Sequence, residues 1–275
     1  MIPVVDLRQD DAVATLRDAC ERLGFFTVVG HGVDEALVAD VAARSRAFFD
    51  LTSSQKERYT APATSPGLPV YRPLRSERLG ASGDGVPAAD LKESLDWGPT
   101  LDGVGWPPGL EEPYTRYLEE MHRLARRLRG GIAQALGHPD GHFEARFDDR
   151  SSSLRVINYP DPEEPPAEGQ LRAGAHRDYG FLTILRSDDA PGGLEVQMLD
   201  GRWVEVRPPE GAFVCNIGDL LADWTGWTST LHRVAVPPHD ARAGSRRQSL
   251  VFFHNPADEE SRAHILRKAA AALGS

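Results

Sequence analysis

Two histidines and a carboxylate, His176, Asp178 and His232, followed by the pair Arg247 and Ser249, are the residues of this chain best suited to chemistry. Two imidazoles and one carboxylate can occupy one face of a divalent first-row metal ion and leave the opposite positions open. Such ligands suit Fe(II), and also Zn(II) or Mn(II). A guanidinium with a hydroxyl two residues on can grip a carboxylate through a fork of donors. A His-x-Asp spacing alone arises readily by chance among 9 histidines and 41 acidic residues. The whole order, His-x-Asp, then a distal His, then Arg-x-Ser, describes an iron oxygenase that takes an acidic co-substrate.

The elements that must position these groups follow from periodicity. On a strand, His176 and Asp178 leave the same face, so one strand could supply two ligands. His232 lies far enough down the chain for several strands to pass and bring it back alongside. Short β-prone runs at 154–159, 181–185, 193–198, 203–206, 212–217, 233–236 and 249–254 are separated by turn residues and by no helix. That pattern predicts a jelly roll or sandwich. The first half reads differently. A short strand at 2–7 and another at 24–30 alternate with helical spacing at 10–23 and 34–49, and 111–136 carries a long apolar stripe ending at Gly137. No period survives over 60–87, which reads as one long irregular segment. The expected organisation is one domain over 1–275, mainly β with flanking α-helices. It divides into a mainly helical part at 1–150, a core with the metal site at 151–256 and a C-terminal helix at 257–275.

Composition bounds the partners. The 275 residues are 40% hydrophobic and 26% charged, enough for a sizeable core. A net charge of -10 argues against nucleic acid and anionic membranes, which need a basic face. It does not exclude an anionic small molecule, since one arginine can dominate a pocket. Two cysteines, Cys20 and Cys215, are too few for a disulfide framework. The start, Met1-Ile2-Pro3-Val4-Val5-Asp6, lacks the features of a signal peptide, and no uncharged apolar run approaches a bilayer span. A cytoplasmic protein of undetermined oligomeric state is expected.

Beyond these residues the chain resembles the isopenicillin N synthase-like branch of the iron(II)/2-oxoglutarate-dependent oxygenases. The matching text includes Ile2 to Leu7, Gly24 to Gly32, Ala175 to Leu185, Gly192 to Val196, Asn216 to Asp219 and Ser229 to Val234. The resemblance covers nearly the whole chain. It implies a double-stranded β-helix core, Fe(II) on His176, Asp178 and His232, and 2-oxoglutarate and dioxygen as co-substrates. It further implies that Arg247 and Ser249 hold the distal carboxylate of 2-oxoglutarate, with Tyr159 reaching co-substrate or substrate. The implied reaction releases succinate and CO2 and oxidises a small molecule, most simply by C–H hydroxylation in specialised or amino-acid-derived metabolism. Asp178 argues against a halogenase, whose site leaves that position open. In isopenicillin N synthase a similar Arg-x-Ser holds the substrate instead, so a same-fold oxidase that desaturates or closes a ring, with or without 2-oxoglutarate, stays open. A non-catalytic metal- or ligand-binding protein is the reading of another class.

Substrate recognition is less marked in the sequence. Tyr71, Arg72 and Arg75 fall in the irregular segment that relatives fold near the active-site mouth, and Arg155 and Ile157 share strand parity with Tyr159. These five are the substrate-contact candidates, with a substrate carboxylate expected on one of the arginines. Arg177 and Arg246 alternate away from the ligand face and read as surface charges. Ile157 stands where relatives carry Asn, and residues 224–228 form a turn about two residues shorter than theirs. His31 reads as a structural turn residue, Asp219 as a turn residue, and the tryptophans as packing.

Overall fold

The computed structural model describes residues 1–60, 71–80, 88–97, 106–148, 150–161 and 165–272. Its strands are β1 (Val4–Asp6), β2 (Phe25–Val29), β3 (Tyr71–Arg72), β4 (Glu93–Trp97), β5 (Ser153–Tyr159) and β6 (Ala173–His176). After these come β7 (Leu182–Ser187), β8 (Leu194–Gln197), β9 (Trp203–Glu205), β10 (Phe213–Ile217), β11 (His232–Val234) and β12 (Arg247–His254). The helices are α1 (Ala12–Arg22), α2 (Glu35–Phe49), α3 (Ser53–Lys56), α4 (Glu111–Ala135), α5 (Asp219–Thr225) and α6 (Glu259–Ala272).

Two sheets result. The larger has the order β1-β2-β10-β7-β12-β5-β4-β3, and the smaller β6-β11-β8-β9. Period-two alternation decides what each face of the larger sheet does. On β12, Arg247, Ser249, Val251 and Phe253 face a cavity, whereas Leu250 and Phe252 join the hydrophobic core on the other side. On β5 the same alternation sends Arg155, Ile157 and Tyr159 to the cavity, and Leu154 and Val156 to the core.

Helix α4 closes the core face. Tyr114, Tyr117, Met121, Leu124, Leu128 and Ile132 recur at three- and four-residue spacing, and all are buried against the sheet and its neighbouring helices. Burying each such side chain contributes roughly 1.5–3 kcal/mol. Glu111 and Glu112 occupy the first turn, where the helix dipole favours negative charge. Gly137, at φ 78°, takes the left-handed conformation that lets the helix stop. At the start of α2, the Asp34 side chain accepts from the Ala36 amide at 2.9 Å.

Three sequence expectations need correction. The segment read as irregular contains β3, paired through Tyr71↔Leu95 and Arg72↔Ser94 with β4, itself a strand near the sheet edge that apolar periodicity did not mark. Strand β6 ends at His176, so Asp178 lies just beyond the strand that carries the first histidine. The reason is local: Asp178 gives its carbonyl to the Asp219 amide at the start of α5, at 2.8 Å, instead of to a ladder. Arg246 is not a solvated charge; its Nε donates to Asn158 Oδ1 at 2.8 Å, and its Nη1 pairs with Asp50. Among the described residues, no helix is long and apolar enough to cross a membrane.

Candidate active site

The first candidate ligand is placed by a close crossing. A Cβ on Gly174 would run into the carbonyl of Leu79, so only glycine lets residues 79–80 pass over β6. Asp90 ties the crossing together by accepting from the amides of Leu79 at 3.0 Å and Gly174 at 2.9 Å. The Gly174 carbonyl then accepts from His176 Nδ1 at 2.7 Å. This fixes the tautomer, with the proton on Nδ1 and a free lone pair on Nε2. His232 repeats the arrangement from β11, its Nδ1 lying 3.1 Å from the Thr230 carbonyl. The two strands pair directly at His232↔His176, and the ring centroids are 4.3 Å apart.

Asp178 completes the set. Its Oδ1 lies 4.0 Å from His176 Nε2 and 3.8 Å from His232 Nε2, and one ligand atom from each residue falls within 4.8 Å of the others. The second oxygen is occupied elsewhere: Oδ2 accepts from Thr183 Oγ1 at 2.6 Å and from Asn216 Nδ2 at 2.7 Å. Burial alone would raise the Asp178 carboxyl. The two imidazoles and these two donors outweigh it and hold the group below the usual carboxylate range. Burial, with His232 close by, keeps His176 neutral by lowering its pKa. Two imidazoles, each with Nε2 turned inward, and an ionised carboxylate with one oxygen unused make a donor set suited to a ferrous ion with open positions.

These groups border a cavity of about 320 Å³ between the two sheets. Its apolar wall comes from Phe25, Leu79, Leu185, Leu194, Val251 and Phe253, and Ile265 of α6 contributes from the C-terminal side. A larger groove of about 1260 Å³ runs behind Arg247 between α2 and the loops at 187–193 and 205–212. None of His176, Asp178 and His232 lines that groove, so size alone does not identify the reactive cavity.

One end of the smaller cavity is marked by Arg247, paired across the sheet with Tyr159, and by Ser249. Arg247 is buried, yet its hydrogen bonds go to neutral oxygens: Nη1 to the Ala190 carbonyl at 3.0 Å and Nη2 to Ser187 Oγ at 2.7 Å. Its Nε has no partner among the described residues, and a carboxylate oxygen, Asp188 Oδ1, stands 3.8 Å from Nη1. Asp188 also pairs with Arg46 through Oδ2. Arg172 adds a second buried cation nearby, its pKa pushed down to about 10 by burial and by Arg247. Burial raises the Tyr159 phenol, so it stays protonated. A buried cation without a full counter-charge, carrying an orphaned donor next to a hydroxyl and a phenol, suits a carboxylate entering from the cavity.

The substrate-contact candidates divide. Arg155 and Ile157 line the cavity. Tyr71 does not; it is buried in the core beside Phe48 and donates to Glu93 Oε2 at 2.5 Å. Arg72 is committed to Asp96 at 2.9 Å, and Arg75 sits at φ 64° in a turn outside the cavity lining. Arg177 lies at the cavity rim with its Nε on the Ser229 carbonyl at 2.9 Å. His31 bridges the Gly211 carbonyl and the Val33 amide, at 2.9 and 3.0 Å. Sequence reasoning missed Thr183 and Asn216, which orient Asp178, and Lys92, which lines the cavity. Position 183 is two residues from Leu185 on the cavity face of β7, a parity signal that could have found it.

Comparison with known proteins agrees with this geometry. Residues 2–121 match the family model described as non-haem dioxygenase in morphine synthesis N-terminal, and residues 151–256 match that of the 2OG-Fe(II) oxygenase superfamily. The chain is 34% identical to homoarginine-6-hydroxylase 2-ODD-C23 of Glycine max, over 89% of this chain and 77% of that protein. It is 31% identical to validamycin A dioxygenase of Streptomyces hygroscopicus subsp. limoneus, over 94% of this chain and 78% of that one. In structure it is similar to a full-length Neurospora crassa protein solved in complex with alpha-KG, with a TM-score of 0.82, 25% identity, and 98% and 96% of the two chains covered. The chain therefore belongs to the isopenicillin N synthase-like family of 2-oxoglutarate- and iron(II)-dependent oxygenases, as a dioxygenase built on a jelly-roll core.

Proposed function

We propose that this chain, as one oxygenase unit over 1–275, hydroxylates a C–H bond of a small molecule. In this reading His176, Asp178 and His232 hold the iron, while Arg247, Ser249 and Tyr159 hold 2-oxoglutarate. Iron(II) with bound 2-oxoglutarate supplies the oxidising chemistry, coupling release of succinate and CO2 to oxidation of the substrate. The residues supply position and environment. Backbone carbonyls at Gly174 and Thr230 keep each Nε2 free for the metal. Thr183 and Asn216 occupy Oδ2 of Asp178 and leave Oδ1 turned to the histidines. Phe25, Leu185, Leu194 and Val251 exclude water from the space where the substrate carbon must sit.

The observation that carries this reading is Arg247, buried with an Nε unpartnered among the described residues, and lining the same cavity as the His-Asp-His triangle. Homoarginine-6-hydroxylase and validamycin A dioxygenase, to which the chain is similar, are named for small-molecule substrates, which supports the same class here. Succinate formation dependent on both Fe(II) and 2-oxoglutarate, screened against a metabolite library, tests it. Stimulation by a library member with one added oxygen in the product is the expected result. Oxygen uptake without succinate would favour the ring-closing oxidase.

A further inference from the structure

The cavity wall carries a second set of charges, on β5 and beside β4. Tyr159 stands opposite Arg247 on the paired strands, and Arg155 opposite Val251. Four residues of strand separate Tyr159 from Arg155, which is about 13 Å at ~3.3 Å per residue. Arg155 therefore lines the cavity well along the strand from the co-substrate arginine, with Ser153, Phe253 and Asn255 lining it further on. Lys92, next to Glu93 opposite Asn158, reaches the same wall from beside β4.

Arg155 does not act alone. Its Nε and Nη2 grip the two oxygens of Asp96 at 2.6 and 2.8 Å, and its Nη1 donates to Glu77 Oε1 at 3.3 Å. Glu77 Oε2 lies 3.1 Å from Lys92 Nζ, and Asp90 Oδ2 lies 3.5 Å from the same ammonium. Arg72 joins from outside, at 2.9 Å from Asp96. Three acids and three bases thus form one neutral layer, but the layer is polarised. Lys92 and Arg155 contribute to the cavity lining, whereas Glu77, Asp90 and Asp96 lie behind them.

Donor counting leaves capacity on the cavity side. A guanidinium carries five N–H donors, and among the described residues the three bonds to Asp96 and Glu77 leave two on Arg155. An ammonium carries three, and among the described residues two carboxylates leave one on Lys92. Among the described lining residues Asp178 is the one carboxylate, and its free oxygen belongs to the His-Asp-His triangle. A cationic substrate group would meet Lys92 and Arg155 with no acid to receive it. An anionic group would meet unused, charge-assisted donors already held in place by the acids behind.

We propose that Arg155 and Lys92 form an anion-binding subsite for the primary substrate, which is a small carboxylic acid with an apolar body lying along Ile157, Val251 and Phe253. The inference rests on the co-substrate taking the Arg247 end, as proposed above. It places the substrate carboxylate on the wall formed by β4 and β5, so the substrate's body, not its acid group, approaches the His-Asp-His triangle. It also separates this chain from enzymes whose substrate must enter as a cation.

The test uses the Fe(II)- and 2-oxoglutarate-loaded protein under nitrogen, so that binding is read without turnover. Matched triplets, each an acid, its primary amide and the corresponding amine, are titrated on four bodies: phenyl, indolyl, cyclohexyl and linear alkyl. Calorimetry and perturbation of the visible absorption of the loaded iron report binding. The expected result is at least one body whose acid binds tenfold or more tighter than its amide and its amine. Arg155→Gln and Lys92→Gln should each reduce that preference tenfold or more and leave the amide within about threefold. Arg155→Lys, which keeps the charge and loses the fork, should retain part of it. Amines binding as well as acids, no acid preference on any body, or a preference that survives both Gln variants would overturn the proposal. Failure of the loaded complex to form at all would instead count against the co-substrate assignment, which the same absorption reads before any probe is added.

Discussion

Asn216 donates through Nδ2 to Oδ2 of Asp178 at 2.7 Å, which leaves Oδ1 as the carboxylate oxygen facing the histidines. Thr183 donates to the same oxygen from the neighbouring strand β7, which pairs with β10 at Asn216↔Thr183. The larger sheet thereby orients a carboxylate whose backbone lies outside it.

Asn216→Ala or Thr183→Val should therefore weaken iron binding without removing a ligand. Loss of such an orienting partner typically costs roughly 10–100-fold in metal affinity. Fe(II) titration of the folded variants checks this; unchanged affinity in both would mean that Asp178 is held by other means.

Arg247→Ala should raise the 2-oxoglutarate concentration needed for half-maximal succinate formation by about 10–100-fold, the scale of charged hydrogen bonds. Arg247→Lys should recover little, because an ammonium cannot reproduce the fork. A normal requirement in both variants would assign the co-substrate to another cation.

His254 is buried on β12, with Ser152 Oγ on Nδ1 and Arg129 Nη1 on Nε2, each at 3.0 Å. Burial first, and then Arg129, hold its pKa well below the ordinary imidazole value. In the unfolded chain it titrates near ~6.5. Below that pH the unfolded state takes up a proton that the folded state refuses, so stability is full above about 6.5 and falls as the pH drops. His176 acts in the same direction. Metal-free protein should lose stability with a slope of about 1.4 kcal/mol per pH unit for each such histidine. Denaturant unfolding between about pH 7.5 and 5 should show a slope smaller by about one histidine in His254→Gln; an unchanged slope would contradict this origin.

Gly174→Ala should destabilise the fold by about 1–3 kcal/mol through overpacking against the Leu79 carbonyl. Iron affinity should fall with it, since the Gly174 carbonyl orients His176. Urea unfolding and metal titration read the two effects separately, and wild-type values in both would show that residues 79–80 can move aside freely.

The triangle of His176, Asp178 and His232 was legible in the sequence because metal binding admits few residue types, and their order along a β-rich segment is distinctive. The helices were legible for a similar reason: α2 and α4 carry one apolar stripe each. The charged wall was not. Lys92 directly precedes β4, a strand near the sheet edge in which the ionic Glu93 and Asp96 interrupt the apolar Leu95 and Trp97, so hydrophobic periodicity does not mark it. Tyr71 is a substrate-contact candidate in the sequence because it falls in the segment that relatives fold near the active-site mouth. Pairing of β3 with β4 turns it instead into the core, against Phe48 and Glu93. Arg246 shows the same limit: alternation placed it away from the ligands, but only the packing of α2 behind β12 reveals that Asp50 and Asn158 hold it.

The measurement closest to the central claim is an anaerobic titration of 2-oxoglutarate into the Fe(II)-loaded protein, followed by the visible absorption of the chelated iron. One equivalent should saturate the band in the wild type. His176→Ala should abolish it, and Arg247→Ala should shift its saturation to higher 2-oxoglutarate. A wild-type protein that binds Fe(II) but develops no band, or a band that persists unchanged in His176→Ala, would contradict the assignment of this cavity as the oxygenase site.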